Sequence, residues 1–186
     1  MKDNYLLVKR ALSLATATSA FSTNSSFYYD ASKSIASMDT DQANEIYEKM
    51  VSQEEFLRQR GPTLDYIRIQ IELTKHEVRI GNCGSRLKKT YDFAAFEVND
   101  KAISLCGLSI IDSYISGSGI NTALKSDVKV LKEKVFTELT RDTAFHFTVL
   151  KPAFQEECQV DIVNAFQWAD RLNIQERRDK AKKFVI

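Results

Sequence analysis

Apolar residues recur along most of this chain at every third or fourth position, a period that predicts helices. Tyr5, Leu6, Val8, Leu12, Ala15 and Ser19 share one face of an N-terminal helix. The same stretch, with Lys2, Lys9 and Arg10 ahead of Ala11–Ala15 and Thr18-Ser19-Ala20 at its end, has the outline of a cleaved leader, which Asp3 and the Thr and Ser content weaken. Asp39 or Thr40 caps a helix through Arg60 that gathers Ala43, Ile46, Tyr47, Met50, Val51 and Leu57 on one side. Gly61-Pro62 stops it, and its charged face reads as solvated surface. A central helix starts near residue 84, where Leu87, Tyr91, Ala94, Ala95 and Val98 form a stripe. Another spans Asp127 to Leu139 with Val128, Leu131, Val135 and Leu139 inward, and a last one carries Trp168 and Leu172.

Other runs have a different period. Thr143–Leu150 and Cys158–Val163 are rich in β-branched and aromatic residues and predict two strands. Residues 63–80 fit both periods, and their length without Gly or Pro favours a helix. Ala102–Ile111 is too apolar to be exposed and belongs in the core as strand or helix. Residues 22–37 read as a loop whose Phe27, Tyr28 and Tyr29 cover the core or touch a partner. Ser116–Gly119 reads as a mobile loop or a plain connection. Together these elements predict an α+β fold, helices on a small antiparallel sheet, in one domain: a helical region over 1–62, a core over 63–174 and a basic tail over 175–186.

Composition narrows the function. With 26 basic and 25 acidic residues the chain has no charge excess with which to hold nucleic acid, and no run is long and apolar enough to span a membrane. Three cysteines cannot all pair, and Cys106 and Cys158 lie in apolar runs, which fits a soluble protein of a reducing compartment. No cysteine pair has metal-ligand spacing, so neither a metal nor another cofactor is expected. The tail, with Arg177, Arg178, Lys180, Lys182 and Lys183, reads as a solvated helix end that could attract acidic partners.

The stretch that looks built for chemistry is Arg79-Ile80-Gly81-Asn82-Cys83-Gly84-Ser85-Arg86-Leu87. A thiol at a helix N-terminus, amid Arg79, Arg86, Lys88 and Lys89, is shifted toward its thiolate and becomes a nucleophile. The chain has two histidines that could serve as its base. His146 sits on the first predicted strand; His76 lies among charged residues seven positions before Cys83 and reads as a surface residue or a second candidate base. If the predicted strands pair, Asp161 on the second can hold the imidazole of His146 in the right tautomer.

The Gly-Asn-Cys-Gly element before a helix, followed by a strand His and a strand Asp, resembles the papain-like and transglutaminase-like cysteine enzymes found among bacterial effector proteins. The resemblance covers roughly residues 76–170. It implies a papain-like core with Cys83 as nucleophile, His146 as base and Asp161 as orienting acid, with Asn164 and Asp170 as substitutes for the last. It also implies acyl transfer on a protein amide, by proteolysis, deamidation or transglutamination, in an effector delivered into a host cell. Ser85 stands where such families carry Glu or Gln, and no Pro-Trp pair follows Asp161. These departures support the alternative, a catalytically inactive module that binds a partner protein on the same fold.

Overall fold

Three acidic side chains start helices. Asp39 Oδ1 accepts from Gln42 N at 2.9 Å and opens α3 (Thr40–Ser52). Asp100 Oδ1 accepts from Ala102 N at 2.8 Å and Ile103 N at 3.1 Å and opens α7 (Lys101–Ser118). Asp161 Oδ1 accepts from Asn164 N at 3.0 Å and opens α10 (Ile162–Arg171). Each satisfies backbone donors that a first helical turn leaves without a partner. The computed structural model describes residues 2–17, 25–82, 85–120, 123–141, 147–172 and 174–185, and every regular element among them is helical.

The chain divides into two compact units, residues 1–87 and 88–186. The first holds α1 (Lys2–Ala17), α2 (Ser25–Ser34), a 3-10 turn (Ile35–Ser37), α3, α4 (Glu54–Arg60), α5 (Thr63–Arg79) and the start of α6 (Ser85–Asp92). Its core is built from Tyr28, Ile35, Ala43, Ile46, Met50, Ile67 and Leu73, all buried. The helix expected over 40–60 is two: at Gln53 the backbone N–H reaches Met50 O, and the chain restarts as α4. α4 ends where the backbone turns extended at Gly61, a position that takes glycine because a Cβ there would lie 2.6 Å from Leu57 O.

The second unit holds the rest of α6, a π turn (Phe93–Glu97), α7, α8 (Leu124–Arg141), α9 (Phe147–Val160), α10 and α11 (Gln175–Val185). α7 is its centre, packed on α8 and α9 and buried almost all round from Ala102 to Ile115. That is why Ala102–Ile111 shows no amphipathic period: a helix covered on every side needs no polar face. Ser116–Ser118 form the last turn of α7, and Gly119, at φ 67°, is its left-handed cap rather than part of a loop.

The α+β expectation is therefore overturned, and with it the papain-like core: among the described residues there is no strand. Phe147–Leu150 belongs to α9, whose inward positions Leu150, Ala153, Phe154 and Glu157 follow the helical period. Cys158–Val160 is the end of the same helix, Asp161 is a cap, and Ile162-Val163 begin α10 with both side chains exposed. A six-residue run with three β-branched residues, Val160, Ile162 and Val163, is the end of one helix and the start of the next, because tertiary burial outweighs β-propensity. Residues 25–34, read as a loop, are helix α2, and Tyr28 is fully buried beneath it.

Candidate functional site

Cys83 and His146 lie outside the described residues. Asp161 is exposed, and its carboxylate is engaged by the backbone of its own helix. Its substitutes are engaged too: Asn164 Nδ2 donates to Glu157 Oε1 at 2.6 Å and Glu133 Oε1 at 3.1 Å, while Asp170 pairs with Lys182 at 2.5 Å. The strand pairing that would carry Asp161 to an imidazole is absent from a helix cap. Cys106 is buried with its Sγ–H donating to Val149 O at 3.3 Å. Burial, with Glu157 beside it, pushes the Cys158 thiol up, away from reactive thiolate. Among the described residues no cluster of His, Cys, Asp and Glu is placed to hold a metal ion.

The polar chemistry of the first unit is organised by α5. Its buried arc carries Gln70, Thr74, His76 and Glu77 beside the isoleucines. Gln70 and Glu77, two turns apart, meet Arg86 of α6: Arg86 donates from Nε to Glu77 Oε1 at 2.8 Å, from Nη1 to Gln70 Oε1 at 2.5 Å and Glu54 Oε2 at 2.9 Å, and from Nη2 to Tyr47 OH at 3.2 Å. Burial alone would lower the Arg86 pKa, but the Glu77 and Glu54 bonds outweigh it and raise it, so the guanidinium stays charged. Tyr47 OH donates in turn to Glu77 Oε1 at 2.5 Å, and burial together with that bond raises its pKa.

His76 adjoins this network, next to Glu77 and with its ring 5.1 Å from that of Tyr47, and is buried, not on the surface. Its Nε2 is 2.9 Å from Asn44 Oδ1 and its Nδ1 is 3.0 Å from Arg79 Nη2. A guanidinium can only donate, so Nδ1 accepts and the proton is on Nε2, donating to Asn44. The imidazole is thus neutral, and burial and then the Arg79 charge lower its pKa. Glu72, Lys75, His76 and Arg79 line a cavity of about 200 Å³ whose other wall is Ser32, Ile35 and Ala36.

No protein-family model, curated protein or solved structure matches this chain. Its chemistry rests on its own geometry.

In the second unit the buried charge is Lys132 of α8. Its Nζ donates to Asp112 of α7 and, at 2.5 Å, to Glu157 Oε2 of α9, with all three side chains almost wholly excluded from water. The ammonium also stands 5.6 Å from the centre of the Trp168 ring. Trp168 stacks on Phe136 at 4.4 Å, and its Nε1 donates to Glu133 Oε1 at 2.5 Å. Arg171 holds the other oxygen of Glu133 at 2.8 Å. One cation and two carboxylates thus tie α7, α8 and α9 together, and Asn164 links Glu157 to the shell around Trp168. The arrangement has the closure of a structural lock.

Reading from the sequence missed this lock, though a signal was there. Lys132 lies on the stripe Val128, Lys132, Phe136 and Leu139, all buried, whereas Leu131 and Val135, expected inward, are half-buried. Asp112 interrupts the apolar run of α7. A charge on an apolar face predicts a buried partner of opposite sign.

Proposed function

We propose that this chain is a helical protein-binding module that docks an acidic amphipathic helix of a partner protein on the outer face of α1. One observation carries the reading: Leu7 and Leu14 are 67% and 64% exposed, two turns apart on one side of α1, with Leu6 at 53% beside them. The opposite side is spoken for. Leu12 is buried, and Tyr5 OH and Lys9 Nζ both donate to Glu45 of α3. Arg10 lies between the two leucines, exposed and with no carboxylate in ion-pairing distance among the described residues. A leucine row with a free guanidinium at its centre suits a partner helix of leucines flanked by Glu or Asp. Burying each leucine would contribute about 1.5–3 kcal/mol before the costs of association. The aromatic residues at 27–29 do not offer such a face, because Tyr28 is fully buried.

The test is fluorescence anisotropy with a labelled synthetic helix bearing leucines at i, i+3, i+4 and i+7 and glutamates on its flanks, beside its lysine-flanked counterpart. The acidic helix should bind, the L7S/L14S variant should lose at least about tenfold in affinity, and Arg10→Glu should reverse the preference. Equal binding by the double variant, or attachment of the wild type to anionic vesicles but to neither peptide, would sink the reading.

Cysteine-dependent acyl transfer on a protein amide is the competing function, supported by the start of α6 at Ser85, two residues after Cys83. On that reading Cys83 alkylates quickly below pH 8 and slows in His146→Ala. A Cys83 that behaves as an ordinary thiol, about 8.5 in pKa, ends it.

A further inference from the structure

We propose that the cavity between the 3-10 turn (Ile35–Ser37) and the end of α5 binds a small monocarboxylate, held by Arg79 and coupled to protonation of His76. The site stands apart from the α1 face and does not depend on it. Its volume, about 200 Å³, lies below the roughly 300–1,000 Å³ of drug-sized pockets and admits only a small molecule. Ile35 and Ala36 give it an apolar wall. The charges at its mouth are unbalanced: Lys75 pairs with Glu72 at 2.8 Å, whereas Arg79 has no carboxylate in ion-pairing distance among the described residues. The partners of Arg79 are neutral acceptors, His76 Nδ1 at 3.0 Å and Ala36 O at 3.4 Å. The second contact is long, so the guanidinium retains donors with which to fork onto a carboxylate. A short apolar tail on that carboxylate would rest on Ile35 and Ala36.

His76 makes the site sensitive to pH. Around the imidazole stand Glu72, Lys75, Glu77 and Arg79 of its own helix and Tyr47 and Asn44 of α3, while the residues that the α2 side contributes to the cavity, Ser32, Ile35 and Ala36, carry no charge. When Nδ1 takes a proton it stops accepting from Arg79, and two cations then face each other. A bound carboxylate between them relieves that repulsion, so binding raises the pKa of His76 and tightens as pH falls. Binding tightens as pH falls through the raised pKa of His76 in the complex, until the carboxylic acid takes up its own proton at about 4 to 5.

The experiment is a titration of the intact protein with butyrate, and with butyramide as the uncharged isostere, following the His76 ring protons by NMR. The two-histidine spectrum is assigned with His146→Ala. Butyrate should shift the His76 signals saturably, raise its pKa, and bind at least about threefold tighter at pH 5.5 than at 7.5. Butyramide should do neither. Arg79→Ala should weaken binding about tenfold. Ala36→Asp, at an exposed position beside the guanidinium, supplies an internal counter-ion and should abolish binding with the fold intact. The proposal is overturned if His76 does not respond to butyrate, if butyramide acts equally, or if folded Ala36→Asp binds as the wild type does.

Discussion

Replacing Lys132 with methionine keeps the length of the side chain and deletes its charge. Asp112 is then a carboxylate with no exposed side-chain surface, and Glu157 one with 2%, and neither has a cation. Removing one partner of a buried ion pair typically costs about 3–5 kcal/mol, because the charge left behind keeps its desolvation penalty. Against a net stability of about 5–15 kcal/mol for a domain this is a large share. With a urea dependence near 2 kcal/mol per molar, the unfolding midpoint should fall by about 2 M. The assay is built into the chain: Trp168 is its one tryptophan, and it is stacked on Phe136, so intrinsic fluorescence follows the second unit. Adding Asp112→Asn removes one of the two stranded charges, and the double variant should be more stable than additivity allows by about 1–3 kcal/mol. A Lys132→Met midpoint within about 0.3 M of the wild type, or strict additivity in the double variant, would refute the lock.

Two further outcomes follow from the same geometry. His76 is held neutral, with its pKa below the 6.5 of an unfolded chain; the unfolded state therefore binds more protons, and stability is complete above about pH 6.5 and lost as pH falls through the folded value. Urea unfolding monitored by circular dichroism at pH 7.5 and 5.5 should show that loss in the wild type and a smaller one in His76→Gln. Asp161→Ala should cost about 1 kcal/mol by removing the cap of α10, and Asp161→Asn much less. The Trp168 fluorescence midpoint measures both, and equal losses in the two variants would contradict the capping role.

Much of the helical content was legible. Asp39, Gly61, the stripe through α3, Val128 and Leu139 of α8, and Trp168 of α10 follow rules of capping and period that act within a few residues. The predicted strands failed over their described residues, 147–150 and 158–163, for one reason. A run such as Cys158–Val163 is too short to display a helical period, and its β-branched residues are outweighed by what lies beyond it in the chain. In α9, Leu150 and Phe154 are drawn inward with Trp168 and Phe136, and this distant aromatic cluster decides the state of the segment.

The candidate chemistry divides along the same line. From sequence alone came the near-balance of charge and the positions of the two histidines, and an apolar row in α1 whose Leu6 was assigned to the wrong side. Only the tertiary structure paired Lys132 with Asp112 and Glu157, closed Glu54, Gln70 and Glu77 around Arg86, and set the proton of His76 on Nε2. The physical reason is range. Caps and stripes are set by neighbours within one or two turns, whereas a buried charge is tolerated or forbidden by groups on other helices, 9 to 32 residues away for Arg86 and 20 and 25 for Lys132, whose approach no local pattern encodes.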